Sequence, residues 1–195
     1  MTDALFTLFA TPIGRCAIAW NERGIALLHL PESSEAVARA RILRRLPSAR
    51  PGAPPGEVKR VIDAIGSLLR GEPAALEAVE LDMHGVPPFH RRVYEAARRI
   101  PPGATLSYGA VAVRAGAPGA ARAVGQALRK NPFAILVPCH RVLAAGGKIG
   151  GFTASGGLDT KRRLLELERP EVALVETAVH AGSARGAGAR QARSS

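Results

Sequence analysis

The sequence predicts a mixed α/β fold in two parts: a small N-terminal α/β domain and a C-terminal helical domain that contains a helix-turn-helix. Two observations predict it. Strand-like stretches separated by turn residues fill the first thirty positions, and helical periodicity takes over after Met83. Hydrophobic residues make up 47% of the 195, enough for a packed core. We therefore place domains at 1–82 and 83–169, and expect 170–195, rich in Ala, Gly, Ser and Arg, to be mostly disordered.

The N-terminal domain is expected to begin with an antiparallel meander, because turn-rich segments separate three apolar stretches, 5–10, 16–20 and 25–30. The elements predicted after it are a helix capped by Ser33 or Ser34 that runs to Leu46, a proline-rich loop over 47–56, a helix over 57–69 with one apolar stripe, and a short strand over 78–81. A small α/β domain thus ends near Asp82.

Prolines and glycines delimit the helices of the C-terminal domain. Pro87-Pro88 opens a helix that ends near Ile100, before the next Pro-Pro-Gly. Two shorter helices, 108–115 with Ser107 as N-cap and 120–130, are joined by a Gly/Pro turn. This arrangement indicates a helix-turn-helix, although an ordinary helical hairpin fits the pattern too.

The positive charge of the chain is concentrated in its second half. The net charge is +11, with ten basic and ten acidic residues in 1–82 against fourteen and four in 83–170. Because its second half has this excess of positive charge, that half is expected to face a polyanion. A generally arginine-rich composition explains the charge equally well.

The sequence indicates neither a membrane segment nor a disulfide framework. No run of about 18 apolar residues occurs, and the first residues lack the pattern of a secretory signal. We therefore expect a cytoplasmic protein. Zinc is not expected, since the N-terminal part offers only Cys16, His29 and His84 as ligands of the usual kinds. Cys16 lies in a strand-like stretch and is expected in the core.

Cys139 is the candidate nucleophile, because it directly precedes His140. A thiol is mostly protonated near neutral pH, so a nucleophilic cysteine needs a base or nearby positive charge. His140 is the candidate base, and Arg141 adds positive potential. A carboxylate that orients the base is expected among Asp159, Glu166 and Glu168. A buried structural cysteine is the alternative for the Cys-His pair alone.

The segment 120–127 predicts a helix of unusually small residues, in which Arg122 is the only long side chain of the first two turns. Such a helix can approach another surface closely. Small residues with a single Arg suit a DNA minor groove, where one side chain can wedge into the base stack. Close packing against another helix inside the domain is the alternative.

Together these residues resemble the methylated-DNA–protein-cysteine methyltransferases, also called O6-alkylguanine-DNA alkyltransferases. The resemblance covers roughly residues 1–169. The blocks that carry it are Thr11-Pro12-Ile13-Gly14, Ser107-Tyr108-Gly109, Ala120 to Gly125, Asn131-Pro132, Ile135 to Val142 with its Pro-Cys-His-Arg-Val segment, and Gly156-Gly157-Leu158. It implies a ribonuclease-H-like N-terminal domain, a winged-helix-like C-terminal domain, and a monomer that acts on double-stranded DNA with alkylated bases and needs no cofactor.

The resemblance also implies the chemistry. Cys139 would attack the alkyl carbon on O6 of guanine, or on O4 of thymine, and keep the alkyl group. His140 would act through a bridging water, with Glu168 orienting it, and Asn131 would hold the active-site turn. Tyr108 would press on the 3′ phosphate and give a proton to N3 of the leaving guanine. Each molecule would act once, since a thioether has no simple hydrolytic exit.

Contacts with DNA and with the base follow from the same resemblance. Arg122 would fill the space that the flipped nucleotide leaves in the stack. The other residues implied in DNA binding are Tyr108, Ala121, Ala123, Gly125 and Arg129. The residues implied in the substrate pocket are Val142, Phe152, Ser155 and Gly156, with the carbonyls of Cys139 and Val142 selecting the guanine amino group and Lys161 near the pocket loop.

The pocket loop departs from the family pattern. That pattern usually reads Gly-Tyr-Ser-Gly-Gly, whereas the segment 151–157 here reads Gly-Phe-Thr-Ala-Ser-Gly-Gly. The two extra residues and the aromatic ring without a hydroxyl predict a roomier or differently shaped pocket.

Two other functions fit parts of the sequence. A non-catalytic damage-binding protein of the alkyltransferase-like kind would flip the base without repairing it, but such proteins usually replace the acceptor cysteine. A helix-turn-helix regulator should carry base-reading polar side chains, and the helix at 120–127 offers little beyond Arg122 and Gln126.

Overall fold

A four-stranded sheet forms the N-terminal part of the computed structural model, which describes residues 3–169. The tail predicted to be disordered lies outside the described residues. The strands are β1 (Leu5–Thr11), β2 (Gly14–Asn21), β3 (Gly24–His29) and β4 (Arg50–Pro51). Their order across the sheet is β3-β2-β1-β4, with β1, β2 and β3 antiparallel and β4 parallel to β1. The predicted meander is confirmed.

Six α-helices, two short 3-10 helices (Cys139–Arg141 and Ala145–Gly147) and a small second sheet complete the described chain. The helices are α1 (Glu35–Arg45), α2 (Gly56–Leu68), α3 (Pro88–Arg98), α4 (Tyr108–Arg114), α5 (Ala121–Arg129) and α6 (Gly157–Leu167). The second sheet pairs β5 (Leu106–Ser107) with β6 (Val142–Leu143) in parallel. The sheet-plus-helix architecture confirms a mixed α/β fold. No helix within residues 3–169 is long and apolar enough to cross a membrane.

Side-chain caps account for two of the helix starts. Ser34 accepts a hydrogen bond from the amide of Val37 at the start of α1. Ser107 accepts one from the amide of Ala110 at the start of α4. Both serines satisfy amide groups that have no partner within the helix, as the sequence predicted.

Two elements differ from the prediction. The segment 47–56, expected to be a loop throughout, contains β4, because two of its residues extend the sheet beside β1. The strand expected at 78–81 is wrong: only Leu81 makes a bridge, to Ile25. The Arg98 guanidinium donates to the carbonyls of Leu76 and Glu77, just before this stretch, and to that of Val79 at 2.7 Å, so the Val79 carbonyl needs no partner strand.

The hydrophobic core runs across the predicted boundary at residue 82. The main cluster of buried side chains contains Trp20 and Leu28 of the sheet together with Tyr94 of α3 and Phe133. Backbone hydrogen bonds join the same regions: the amide of Leu28 donates to the carbonyl of Pro132 at 2.8 Å, and the amide of Ala134 donates back to Leu28 at 3.0 Å. The segment before Cys139 is therefore fixed to the edge of the N-terminal sheet.

The two helices predicted to form a helix-turn-helix are α4 and α5, and both pack against α3. The buried Tyr94 of α3 donates its hydroxyl hydrogen to the carbonyl of Ala127 in α5 at 3.0 Å. Val124 and Ala127 face this core, whereas Arg122, Ala123 and Gln126 are exposed. The small-residue face of α5 is therefore turned away from the core, which argues against helix packing as the reason for its composition.

Candidate active site

Asn131 holds the turn that precedes Cys139. Its side-chain carbonyl accepts from the amide of Phe133 at 2.9 Å, and its amide group donates to the carbonyl of Val137 at 2.9 Å. Between these anchors lies Ile135, whose φ of 68° is the only positive value for a non-glycine residue within 3–169. A β-branched residue in this region of φ is strained, so the surrounding contacts must hold the turn. Asn131 supplies two of those contacts.

Cys139 begins a short 3-10 helix, Cys139–Arg141, and is partly exposed in a cavity of about 770 Å³. The cavity lies between the helices α4 and α5 and the loop after β6. Among the residues predicted for the site, those that line it are Tyr108, Ala121, Arg122, Gly125, Arg129, Cys139 and Phe152. Blocks that are far apart in the sequence therefore meet around one thiol.

Of the residues predicted for DNA binding and for the substrate pocket, four do not line this cavity. Ala123 is exposed one position beyond Arg122, and Val142 is fully buried, with its carbonyl accepting from Lys161 at 2.6 Å. Ser155 and Gly156 are exposed at the start of α6, where the carbonyl of Ser155 accepts from the Thr160 hydroxyl at 2.7 Å.

Ser155 lies outside the cavity, in a loop that is two residues longer than the family pattern. Thr153, one of the residues in the lengthened segment, lines the cavity beside Phe152, and its hydroxyl donates to the carbonyl of Arg129 at 3.4 Å. The expectation that Ser155 lines the pocket is thus corrected to Thr153.

His140 belongs to a buried cluster with Glu168 and Arg141. His140 Nε2 lies 2.8 Å from Glu168 Oε1. Arg141 donates to the same carboxylate through Nε at 2.7 Å and Nη2 at 2.8 Å, a two-pronged contact that fixes its plane. Of the three candidate carboxylates, Glu168 is the one that reaches the histidine; Asp159 instead pairs with Arg162.

The charge states of this cluster follow from its surroundings. Burial raises the pKa of Glu168, but hydrogen bonds with His140 and Arg141 outweigh it and lower the value to about 2. Burial lowers the pKa of His140, and Glu168 opposes this only in part. The histidine is therefore neutral at pH 7 with its Nε2 hydrogen held by Glu168, which leaves Nδ1 as the nitrogen that can accept a proton.

The positively charged side chain that acts on the Cys139 thiol is Lys161 and not Arg141. The expectation for Arg141 is wrong, because its guanidinium is buried and directed to Glu168. Burial raises the pKa of the Cys139 thiol, while a hydrogen bond from Asn131 and the charge of Lys161 lower it in part. The thiol is thus protonated at rest and needs a base. The resemblance placed Lys161 near the pocket loop but assigned it no effect on the thiol.

Tyr108 faces Cys139 across the cavity with its phenol protonated, because burial raises its pKa. Its ring packs closely on the backbone of Gly150. A Cβ atom built on Gly150 would lie 3.0 Å from Tyr108 Cε2 and 3.1 Å from the hydroxyl oxygen. Such contacts are tighter than ordinary packing, so a side chain at position 150 would displace the phenol.

The second cysteine, Cys16, lies in a different environment from Cys139. Cys16 is fully buried in the sheet, as the sequence predicted, and burial raises its pKa to about 11. Within residues 3–169, no three His, Cys, Asp or Glu side chains are grouped so as to hold a metal ion.

Known proteins resemble this chain over most of its length. Residues 88–170 match the family described as 6-O-methylguanine DNA methyltransferase, DNA binding domain. A methylated-DNA–protein-cysteine methyltransferase of Mycobacterium tuberculosis is 49% identical over 115 residues, which are 59% of this chain and 67% of the relative. One of Methanothermobacter thermautotrophicus is 33% identical over 157 residues, 80% and 81% of the two chains.

A solved structure matches the fold as well. The crystal structure of Mycobacterium tuberculosis OGT in complex with DNA superposes with a TM-score of 0.68 at 38% identity, covering 85% of this chain and 92% of that one.

Proposed function

This chain belongs to the methylated-DNA–protein-cysteine methyltransferases, and we propose that it repairs DNA by moving an alkyl group from O6 of guanine to Sγ of Cys139. The observation that carries the proposal is the position of the thiol. It opens into a cavity walled by the small-residue helix α5 and Tyr108. Behind it lies a neutral histidine fixed by a buried carboxylate. O4 of thymine presents the same ether chemistry and is proposed as a second substrate.

The proposed transfer forms one bond and breaks one. The Cys139 thiol gives its proton to Nδ1 of His140, through a bridging water, and the sulfur attacks the alkyl carbon. The carbon–O6 bond breaks, and its electron pair stays on guanine. Glu168 then stabilises the imidazolium, as carboxylates do for catalytic histidines elsewhere. The product is a thioether, which explains a single turnover per molecule.

The leaving guanine needs a proton, which we assign to Tyr108. Negative charge develops on the base as the carbon–O6 bond breaks, and a positioned acid lowers this barrier. The Tyr108 phenol is protonated and faces the cavity. Its proton would pass to N3 of the guanine.

The target base must leave the helix before a thiolate can reach it. We propose that α5 enters the minor groove of double-stranded DNA and that Arg122 fills the place of the flipped nucleotide. In support, Arg122 is exposed at the rim of the cavity, and its neighbours Ala121 and Gly125 allow a close approach of the backbone. Arg129 lies about two turns further along the same helix.

Replacing Arg122 with Ala is expected to slow repair in duplex DNA by about 10- to 100-fold, since extrusion loses a few kcal/mol of compensation. Repair of single-stranded DNA should change much less, because no stack has to be filled. Single-turnover transfer rates on the two substrates measure the difference. Equal slowing on both would contradict the role in extrusion.

The proposed function is tested by measuring how many methyl groups each protein molecule accepts. A duplex with one labelled O6-methylguanine, supplied in excess, should transfer about one methyl group per protein molecule and then stop. Continued turnover, or no transfer by a folded protein that binds the duplex, would contradict it. The second outcome would favour the non-catalytic damage-binding alternative, which the presence of Cys139 in the cavity opposes.

Finer features of the architecture are also proposed. The strand order β3-β2-β1-β4, with β4 parallel to β1, supports a ribonuclease-H-like domain at 1–82. A helix-turn-helix followed by β6, which pairs with β5, supports a winged-helix-like domain at 83–169. We propose that the protein acts on DNA as a monomer.

A further inference from the structure

A basic cleft lies at the opposite end of α5 from Arg122. The titratable residues that define it are His29, Arg44, Arg45, Arg129 and Lys130. The cleft has a volume of about 240 Å³ and lies where the C-terminal ends of α1 and α5 come together. It therefore combines residues of the N-terminal sheet and its first helix with residues of the helix-turn-helix.

Most of the positive charge around the cleft is not neutralised by carboxylates. A fifth cation at its wall, Arg41, pairs with Glu32. In the part of the chain that the structure describes, Arg44, Arg45, Arg129 and Lys130 form no ion pair, and all four are exposed. Arg44 and Arg45 stabilise the end of α1 through the helix dipole. That role does not require them to lie beside Arg129 and Lys130 of α5.

The lowered pKa of His29 is a second sign of the positive potential in the cleft. Its ring is partly buried in the cleft, and burial together with the charges of Arg41, Arg45 and Arg44 lowers its pKa to about 4. A neutral histidine leaves an arginine-lined cleft ready for an anion. Among residues 3–169, no acidic side chain lines the cleft.

The cleft is continuous with the proposed active site through Arg129. This residue lines both the cleft and the large cavity that contains Cys139. A smaller cavity of about 60 Å³ is lined by His29, Arg129 and Cys139 together. The same surface thus passes from the small-residue face of α5 to the N-terminal half of the molecule.

We propose that the basic cleft binds backbone phosphates of the same DNA duplex, on one side of the lesion, so that the N-terminal half shares in holding the DNA. The proposal rests on the proposed function, since the lesion must lie at Cys139. Arg122 and Arg129 are seven residues apart on a helix, or about 10 Å, which equals about three base-pair steps. The cleft would then meet phosphates beyond the third pair from the flipped base.

The test compares two double variants that each remove two exposed cations. Arg44→Ala/Arg45→Ala removes the cleft charges, and Lys59→Ala/Arg60→Ala, on the outer face of α2, is the matched control. Affinity is measured against salt on a duplex with one O6-methylguanine. The cleft variant should bind roughly tenfold more weakly at low salt, with a salt slope reduced by about 1.8, because each phosphate contact contributes about 0.9. The control should keep the wild-type slope.

Truncated duplexes locate the contact. Two substrates carry the lesion two base pairs from one end or from the other, so that only one of them extends across the cleft. The defect of the cleft variant should appear on that substrate alone. A variant with Arg44→Lys/Arg45→Lys, which keeps the charge, should recover the slope and shows that the loss is electrostatic rather than a folding defect.

Three outcomes would overturn the inference: equal slopes for the cleft variant and the control, an equal defect on both truncated duplexes, or a defect seen only when a second duplex is present. Failure of the proposed function is distinguishable, because the wild-type protein would then transfer no methyl group to Cys139 on any of these substrates.

Discussion

A Cys139→Ser protein is expected to accept no methyl group from a duplex with O6-methylguanine, although it should still bind that duplex. A serine hydroxyl does not ionise in this pH range and is a much weaker nucleophile than a thiol that has a neutral histidine beside it. The side chains otherwise differ little in size. Transfer of a labelled methyl group and a binding titration, on the same preparation, measure the two properties separately.

The second cysteine provides the control for this experiment. Cys16 is fully buried and its pKa is about 11, so it has neither access to DNA nor thiolate character. Cys16→Ala should transfer one methyl group per molecule like the wild type. Transfer that persists in Cys139→Ser and disappears in Cys16→Ala would reverse the assignment.

Replacing Glu168 is expected to have the second largest effect. Glu168→Ala leaves Arg141 as an uncompensated buried charge and should lower the free energy of unfolding by about 3–5 kcal/mol. Glu168→Gln keeps the shape and should be less destabilising. It should still slow transfer by roughly 10²–10⁴-fold, because a neutral amide neither fixes the His140 tautomer nor stabilises an imidazolium. Denaturant titration and single-turnover kinetics measure the two effects.

The effect of Glu168 on stability depends on pH. Its pKa in the folded protein is about 2, below the unfolded value of about 4.3, so ionised Glu168 stabilises the fold above pH 4.3 and this contribution is lost as the pH falls towards 2. The amount is about 3 kcal/mol by linkage. Glu168→Gln should lack this part of the acid sensitivity. The control is Glu166→Gln, which removes an exposed carboxylate two residues before Glu168. This variant should keep the acid sensitivity that comes from Glu168.

The strands, helices and caps were largely predictable because local signals specify them. Apolar stretches between turn residues predicted the meander, and Ser34 and Ser107 marked helix starts that the structure places at the same serines. The pair β5 and β6 was not predicted. Each strand has two residues, and their pairing depends on contacts 36 residues apart, which no local pattern encodes.

The site was predictable where sequence neighbours carry it. Cys139 and His140 are adjacent, and the resemblance brought Asn131, Tyr108 and Glu168 to the same site. Side-chain direction was not predictable in the same way. Arg141 follows His140 directly, yet its guanidinium is buried against Glu168 rather than placed beside the thiol, because only that carboxylate can neutralise it in the core.

The length of the pocket loop was visible in the sequence, but its path was not. The two extra residues predicted a changed pocket, and the structure directs Thr153 to the cavity while Ser155 precedes α6. The basic cleft was equally hidden. Arg44 and Arg45 belong to a half-chain with no net charge, and only the fold brings them to Arg129 and Lys130.

Mass spectrometry of the protein after incubation with an O6-methylguanine duplex decides whether Cys139 is the acceptor. The intact mass should rise by about 14 Da, one methylene, with the gain confined to the proteolytic peptide that contains Cys139. An unchanged mass, or the same gain on any other peptide, would contradict it.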